Sequence, residues 1–217
     1  VLKPSEVTPL PELELAAIIA EAGLPAGVFN LVCGTGLAVG APLSADSRIA
    51  KISFTGSNAV GVQVMQRAAE TVKGVSLELG GKSSLLVLAD ADLDLAVEVA
   101  CGGGFFNAGQ MCSATSRVLV ADELADEFLT RVKARAEAIR VADPFDPNVE
   151  MGALVNQAQY QRVLGHIDRG LSAGARLVCG GNRPADLPRG YFLQPTVFTQ
   201  VPLDSALWCE EIFGPVI

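Results

Sequence analysis

A single cysteine in the segment FFNAGQMCSATSR (105–117) is the residue of this sequence best suited to covalent chemistry. A cysteine thiolate is a strong nucleophile, provided that its sulfur lies within reach of a substrate. Gly109, Ser113 and Ala114 surround Cys112 with small side chains that leave the sulfur accessible. Free cysteines are nevertheless among the most buried residues of ordinary proteins, so a core position is the competing interpretation. The segment by itself leaves both interpretations open.

A glutamate inside an apolar strand pattern is the second candidate for chemistry. Glu78 stands between Leu77 and Leu79 in LELGGKS (77–83), and two glycines follow. A buried carboxylate is costly unless it is paired or neutral, and a carboxyl group in an apolar site is suited to general-base work. The alternative is an outward-pointing strand residue, although the glycines indicate close approach by another group.

Three short motifs contain the residue types of a nucleotide site. GTGLAVG (34–40) follows a predicted strand and opens a helix, but its GxGxxxG spacing is one residue longer than the Rossmann fingerprint. In FTGS (54–57), backbone N–H groups and Ser57 could hold a phosphate at a helix start. Glu6 of KPSE (3–6) could accept both hydroxyls of an adenosine ribose and would repel a 2′-phosphate. The alternative for GTGLAVG is an ordinary turn, that for FTGS is a helix cap, and that for KPSE is a solvated ion pair.

These motifs lie between the elements of an alternating α/β pattern. Val/Ile/Leu runs alternate with helical periodicity, which is typical of parallel sheets covered on both faces. Two glycines interrupt the pattern near residues 78–81, where we predict a domain boundary. Strands are predicted at 28–33, 49–54, 75–79, 83–89, near 118, 175–179 and 191–199, and helices at 9–22, 58–72, 92–106, 122–140 and 155–173.

Composition disfavours several function classes. Half of the 217 residues are hydrophobic, and the net charge is −8 without any basic run, so the chain is a poor candidate for binding nucleic acid or an anionic membrane. No apolar run reaches the roughly 18–20 residues of a membrane span. Five cysteines without a CxxC pair, and His166 as the only histidine, argue against a disulfide framework and a metal site. They indicate a reducing compartment, which we expect to be the cytoplasm.

Both ends of the sequence lie in apolar runs that are typical of strands. The chain begins with VL before KPSE and stops at PVI after EEIFG. We therefore expect it to be the central part of a longer protein.

Five motifs resemble, together and in this order, those of the NAD(P)-dependent aldehyde dehydrogenase superfamily: KPSE, FTGS, LELGGKS, FFNAGQMC and EEIFGP. The stretches GQMCSATSR, CGGNRP and EEIFGPVI are similar to betaine aldehyde and aminoaldehyde dehydrogenases, especially the plant-type enzymes. The resemblance implies an incomplete, Rossmann-like parallel cofactor domain (1–77) and an incomplete α/β catalytic domain (78–217). It also implies oxidation of a small aldehyde with NAD, with NADP less favoured, in a homo-oligomer that is a dimer or a tetramer.

The resemblance assigns roles to individual residues as well. Cys112 matches the nucleophile that forms a thiohemiacetal and then a thioester, and Glu78 matches the general base that activates the hydrolysing water. The other four cysteines keep the interpretation of core residues. Positions matched to cofactor contacts are Lys3, Ser5, Glu6, Gly36, Gly40, Thr55, Gly56, Ser57, Leu79, Glu211 and Phe213, and those matched to the substrate pocket are Phe106, Met111 and Ser113.

The sequence leaves some alternatives open. The plant-type enzymes usually carry tryptophan at the position of Phe106, and phenylalanine is a weaker cation–π partner for a quaternary ammonium group. Phe105 and Phe106 could instead finish the apolar face of helix 92–106. An acylating enzyme that passes the thioester to coenzyme A is disfavoured by the presence of Glu78. A non-catalytic nucleotide-binding fragment is the alternative from another class of protein.

Overall fold

Helices and strands alternate along the chain in the computed structural model, which describes residues 1–217. The chain divides into two compact units, Val1–Gly80 and Gly81–Ile217. The helices are α1 (Leu10–Glu21), α2 (Ala41–Ala45), α3 (Asn58–Ala69), α4 (Leu93–Phe105), α5 (Ala125–Ala138), α6 (Gln157–Ser172) and α7 (Ala206–Cys209). The strands are β1 (Lys51–Gly56), β2 (Gly74–Leu79), β3 (Ser84–Val87), β4 (Arg117–Val120), β5 (Arg176–Cys179) and β6 (Val197–Thr199).

The first unit contains a β–α–β crossover. Strands β1 and β2 pair in parallel, and α3 connects them, as parallel neighbours require. A Cβ added at Gly61 of α3 would lie 2.6 Å from the Leu79 side chain, so the helix packs closely on the strand. Ser57 caps the helix, because its hydroxyl accepts a hydrogen bond from the Val60 N–H (3.4 Å). The carboxyl end of β1 therefore leads directly into the N-terminus of a helix.

The second unit is organised around the apolar faces of α4, α5 and α6. Strands β3 and β4 pair in parallel, with α4 between them in the chain. Ala100 and Phe105 of α4, Val132 of α5 and Val163 of α6 are almost fully buried in one core. Complete burial of a side chain the size of valine or phenylalanine contributes about 1.5–3 kcal/mol. This core supports the loop that follows α4.

The alternating α/β architecture is as predicted, but two predicted strands differ from the structure. Residues 28–33 form no ladder, because their only pairing is a single bridge between Leu31 and Leu2. The strand predicted at 191–199 is limited to β6, which pairs antiparallel with β5. No helix crosses between β5 and β6, so the second strand returns beside the first in the opposite direction. The helix predicted at 122–140 begins as a 3₁₀ turn at Asp122–Leu124 before α5.

None of the helices combines the length and the apolar composition needed to cross a membrane. No three His, Cys, Asp or Glu side chains lie close enough together to hold a metal ion.

Candidate active site

Cys112 is exposed on an irregular loop between α4 and β4. Helix α4 ends at Phe105, and the backbone then passes through three consecutive left-handed residues: Asn107 (φ 50°), Ala108 (φ 55°) and Gly109 (φ 69°). An L-residue such as Ala108 pays about 1–2 kcal/mol for this conformation, so the surrounding structure must hold it there. Strained backbone of this kind is concentrated at functional sites.

Hydrogen bonds and close backbone packing hold this loop in place. The Asn107 side chain donates to the Gln110 carbonyl (3.2 Å), and the Gln110 side chain donates back to the Asn107 carbonyl (3.0 Å). Gln110 also accepts a hydrogen bond from the Val155 N–H (2.9 Å). A Cβ added at Gly109 would lie 2.0 Å from the Gly214 carbonyl oxygen, so only glycine fits at that position. The segment before Cys112 is therefore tied to the chain at two distant points.

The remaining cysteines do not share one environment. Cys101 and Cys179 are buried, as predicted, and burial raises the pKa of both thiols, that of Cys101 to about 11. The prediction of a core position is wrong for Cys33 and Cys209, which are exposed. Cys33 follows a segment whose only pairing is the single bridge between Leu31 and Leu2, and Cys209 ends the one-turn helix α7. Exposure therefore distinguishes Cys112 from Cys101 and Cys179, but not from Cys33 and Cys209.

Glu211 lies on the same side of the second unit as the Cys112 loop. The Gly81 N–H donates to the Glu211 carboxylate (3.4 Å), and a Cβ added at Gly81 would lie 3.9 Å from the Cys112 carbonyl oxygen. Gly81 thus stands against both predicted site residues. Phe213, two residues after Glu211, is exposed and has a left-handed backbone (φ 53°). The structure therefore brings Cys112, Glu211 and Phe213 into one region.

Two functional candidates were missed from the sequence. Gln110 lies within the FFNAGQMC motif but was not singled out, although it closes the strained loop. Gln159 of α6 is buried (8% exposed) and donates to the carbonyls of Ile212 and Phe213. A polar residue in helical register with the apolar residues of α6 was the available signal for Gln159.

Glu78 lies near the carboxyl end of β2, and its side chain is exposed. The interpretation of a carboxyl group buried in an apolar site is wrong, and the outward-pointing alternative is correct. Side chains alternate along a strand, so Leu77 and Leu79 point away from the face that carries Glu78. The parallel register places Glu78 beside Thr55, and Leu79 beside Gly56. Four predicted site residues therefore meet at the carboxyl ends of β1 and β2, where ligands of open α/β sheets bind.

A second group of predicted residues meets around Lys3. Its ammonium group donates to the Gly34 carbonyl (2.9 Å) and lies 3.5 Å from the Glu6 carboxylate. Its side chain also approaches Gly40, where an added Cβ would be 3.7 Å away. The backbone N–H of Glu6 itself, the Lys3 ammonium and the Gly36 N–H together hold the pKa of Glu6 below its usual value. The exposed Glu6 is therefore a carboxylate poised beside a glycine turn.

The remaining predicted cofactor residues are small or hydroxyl-bearing and exposed. Ser5 accepts a hydrogen bond from the Val7 N–H (3.3 Å), and Ser57 is the cap of α3. A Cβ added at Gly36 would meet no atom within 4 Å, so the turn is open to solvent. The residues Gly36–Gly40 form a helical turn leading into α2, as the sequence predicted.

A lysine next to Gly81 has unusual electrostatics. Burial, reinforced by the Arg117 charge, lowers the pKa of Lys82 to about 8. Its ammonium group donates to the Ser116 carbonyl (3.4 Å), and the Arg117 guanidinium donates to the Lys82 carbonyl. A cavity of about 330 Å³ is lined by Lys82, Arg117 and Trp208 among others, but not by Cys112. The exposed loop, rather than this cavity, is the candidate active site.

The predicted substrate-pocket residues are all exposed on the Cys112 loop. Met111 and Ser113 flank the cysteine, and Phe106 is 66% exposed. Phe105 is 2% exposed, so it finishes the apolar face of α4, whereas Phe106 does not. The chain leaves the helix at Phe106 (φ −53°, ψ 138°), which turns this side chain away from the core.

Comparison with known proteins places this geometry in a family. The sequence matches the aldehyde dehydrogenase family over residues 1–217. The chain belongs to this family. It is 52% identical over 217 residues to a betaine aldehyde dehydrogenase of Cereibacter sphaeroides, covering 100% of this chain and 44% of that protein. It is 48% identical over 218 residues to aminoaldehyde dehydrogenase 2 of Zea mays, with 100% and 43% covered.

Solved structures agree with this assignment. The structure matches a betaine aldehyde dehydrogenase of Staphylococcus aureus in complex with NAD+ with a TM-score of 0.96 and 38% identity, over 99% of this chain and 43% of that one. It matches an aldehyde dehydrogenase from Burkholderia cenocepacia, described as putative, with a TM-score of 0.98 and 41% identity, over 100% and 45% of the two chains. The family and fold implied by the five motifs are confirmed. The chain spans less than half the length of these relatives.

Proposed function

We propose that the protein oxidises an aldehyde to the carboxylic acid with NAD, using Cys112 as the nucleophile and Glu78 as the general base. The observation that carries the proposal is an exposed cysteine on a loop whose strained backbone is held from two distant points, in a chain of the aldehyde dehydrogenase family. A positioned loop of this kind can present one thiol at a defined place for attack on a carbonyl carbon.

The residues of the first unit fit an NAD cofactor. Glu6 offers a carboxylate for the two ribose hydroxyls of the adenosine, beside Lys3 and an open turn at Gly36. Ser57 and the N-terminus of α3 offer an anion site for the pyrophosphate. We assign residues 1–77 to the cofactor domain and residues 78–217, with Glu211 on the nicotinamide ribose, to the catalytic domain. When bound, NAD accepts the hydride from the aldehyde carbon.

The chain's own residues carry the covalent steps. The Cys112 thiolate attacks the aldehyde carbon, and the oxyanion of the resulting thiohemiacetal accepts a hydrogen bond from the cysteine backbone N–H. Loss of the hydride leaves a thioester on the sulfur. Glu78, exposed near the end of β2, then takes a proton from a water that attacks this thioester, releasing the acid and the free thiol.

Two substitutions in the complete protein test this assignment. Cys112→Ala should abolish aldehyde-dependent NADH formation while NAD still binds, whereas Cys209→Ser, which removes another exposed cysteine, should leave turnover unchanged. Glu78→Gln should give a burst of about one NADH per site and then a slow steady state, because only thioester hydrolysis is impaired. Normal steady turnover in Glu78→Gln would exclude Glu78 as the base. Turnover that required coenzyme A would instead favour an acylating enzyme.

The substrate that we propose is a small aldehyde with a trimethylammonium or amino group. The support is the identity of 45–52% to proteins described as betaine aldehyde or aminoaldehyde dehydrogenases, together with the exposed aromatic ring of Phe106. An aromatic face attracts such a cation by about 0.5–2 kcal/mol. The test compares kcat/KM for betaine aldehyde with that for its neutral isostere 3,3-dimethylbutanal, in the unsubstituted protein and in Phe106→Leu. A ratio near one in the unsubstituted protein would refute the cationic substrate.

A further inference from the structure

Gln159 is a buried polar residue on the apolar face of α6. Its neighbours on this face, Tyr160, Val163 and Ile167, are buried in the core of the second unit. A buried amide is costly unless its hydrogen bonds are satisfied. The Gln159 amide nitrogen donates to the Ile212 carbonyl (3.0 Å) and to the Phe213 carbonyl (2.7 Å).

These two carbonyls belong to consecutive residues of the chain. Successive carbonyls of an extended chain point in opposite directions. Here Phe213 has a left-handed backbone (φ 53°), and both carbonyls face the same donor. The Gln159 side chain therefore holds a strained turn at residues 212–213 in one conformation.

The turn held by Gln159 lies between two parts of the candidate active site, Glu211 and the Cys112 loop. On one side it follows Glu211, whose carboxylate accepts from the Gly81 N–H. On the other side it leads into Gly214, whose carbonyl lies against Gly109 of the Cys112 loop. Helix α6 also supports Gly214 directly, since a Cβ added there would lie 2.4 Å from Val163. A shift of this turn would move Glu211 and the Cys112 loop together.

We propose that Gln159 is a positioning residue for cofactor binding: its amide fixes the 212–213 turn, and the turn fixes Glu211 toward the nicotinamide ribose. This inference rests on the proposed function for the role of Glu211. It assigns no contact between Gln159 and the aldehyde or the cofactor.

The test compares Gln159→Met with Gln161→Met in the complete protein. Methionine keeps the length of the side chain but removes both donors, and Gln161 is an exposed glutamine of the same helix. We expect the dissociation constant for NAD, measured by calorimetry, to rise about tenfold in Gln159→Met, because the turn that positions Glu211 loses both of its hydrogen bonds to Gln159. Amide exchange across residues 209–217 should accelerate in the same variant. Gln161→Met should match the unsubstituted protein in both measurements.

Comparing the change in KM for NAD with the change in kcat distinguishes a positioning role of Gln159 from a merely structural one. Partial misfolding lowers the fraction of active sites and hence kcat, but leaves KM for NAD unchanged. An unchanged KM and dissociation constant in a folded Gln159→Met would overturn the inference. If the unsubstituted protein shows no aldehyde-dependent NADH formation, the proposed function fails, while faster exchange at 209–217 would still establish the role of Gln159 in the turn.

Gln159→Glu provides a second variant if Gln159→Met does not fold. The carboxylate has no hydrogen to donate and faces two carbonyl oxygens, so NAD binding should weaken near neutral pH. Protonation restores one donor, so the affinity for NAD should recover as the pH falls, relative to the unsubstituted protein. Affinity equal to that of the unsubstituted protein across this pH range would also overturn the inference.

Discussion

Replacing Gly109 by alanine should disturb the Cys112 loop more than any other glycine-to-alanine change in α4 or this loop. An added Cβ would lie 2.0 Å from the Gly214 carbonyl oxygen and 2.9 Å from the Pro215 nitrogen, both backbone atoms that cannot rotate away. The left-handed backbone (φ 69°) costs alanine about 1–2 kcal/mol, and relieving the overlap adds about 1–3 kcal/mol. We therefore expect Gly109→Ala to lower the free energy of unfolding by about 2–5 kcal/mol.

Gly102→Ala is the matched control in the preceding helix. Gly102 lies inside α4, and a Cβ added there would meet no atom within 4 Å. Alanine favours a helix interior over glycine by about 0.5–1 kcal/mol, so this variant should be slightly more stable. The two changes add the same methyl group seven residues apart and should shift stability in opposite directions.

The assay is denaturant unfolding of both variants, combined with kcat/KM for the aldehyde. A backbone displacement of about 1 Å near a nucleophile can reduce the rate about 100-fold, so Gly109→Ala should lose activity even where it is folded. If Gly109→Ala unfolds at the same denaturant concentration as Gly102→Ala and retains full activity, the loop is not held against Gly214 as described.

Three further predictions concern titration, thiol reactivity and cofactor choice. The pKa of Lys82 is about 8 in the folded protein against an ordinary value of 10.5, so the unfolded state binds this proton more tightly. The free energy of unfolding should therefore rise between about pH 8 and 10.5. Lys82→Met should lack this rise, and parallel pH profiles of the free energy of unfolding in the two proteins would contradict the prediction. Mass spectrometry after iodoacetamide treatment at pH 8 should find Cys112 modified well before Cys101 and Cys179, because burial raises the pKa of the latter two thiols. Labelling of all three cysteines at the same rate would contradict this prediction and show that iodoacetamide reaches the core. Glu6→Ser should raise the ratio of kcat/KM for NADP to that for NAD by about tenfold. The reason is that the substitution removes the repulsion between the Glu6 carboxylate and the 2′-phosphate of NADP, and about 1.4 kcal/mol corresponds to a factor of ten. An unchanged ratio would place Glu6 away from the ribose.

Local sequence patterns were sufficient to predict most elements and the family. The periodicity of 122–140 and 155–173 predicted α5 and α6 nearly in full, because their apolar residues recur at helical spacing. The combination of five motifs predicted membership of the aldehyde dehydrogenase family, which the comparison confirmed. Strand pairing was less accessible: the apolar run 28–33 had the composition of a strand, but a ladder depends on a partner that local sequence does not specify.

Tertiary structure decided the environment of each site residue. Leu77 and Leu79 made Glu78 look buried, whereas the alternation of side chains in β2 exposes it. Phe105 and Phe106 are identical in type, yet one lies in the core and the other in solvent because α4 ends between them. Gln159 showed no chemical signal beyond its polarity, since its role depends on two carbonyls more than fifty positions away. Residue type and spacing determine which chemistry is possible, but burial and hydrogen bonding arise from contacts between distant segments, and only the folded chain contains them.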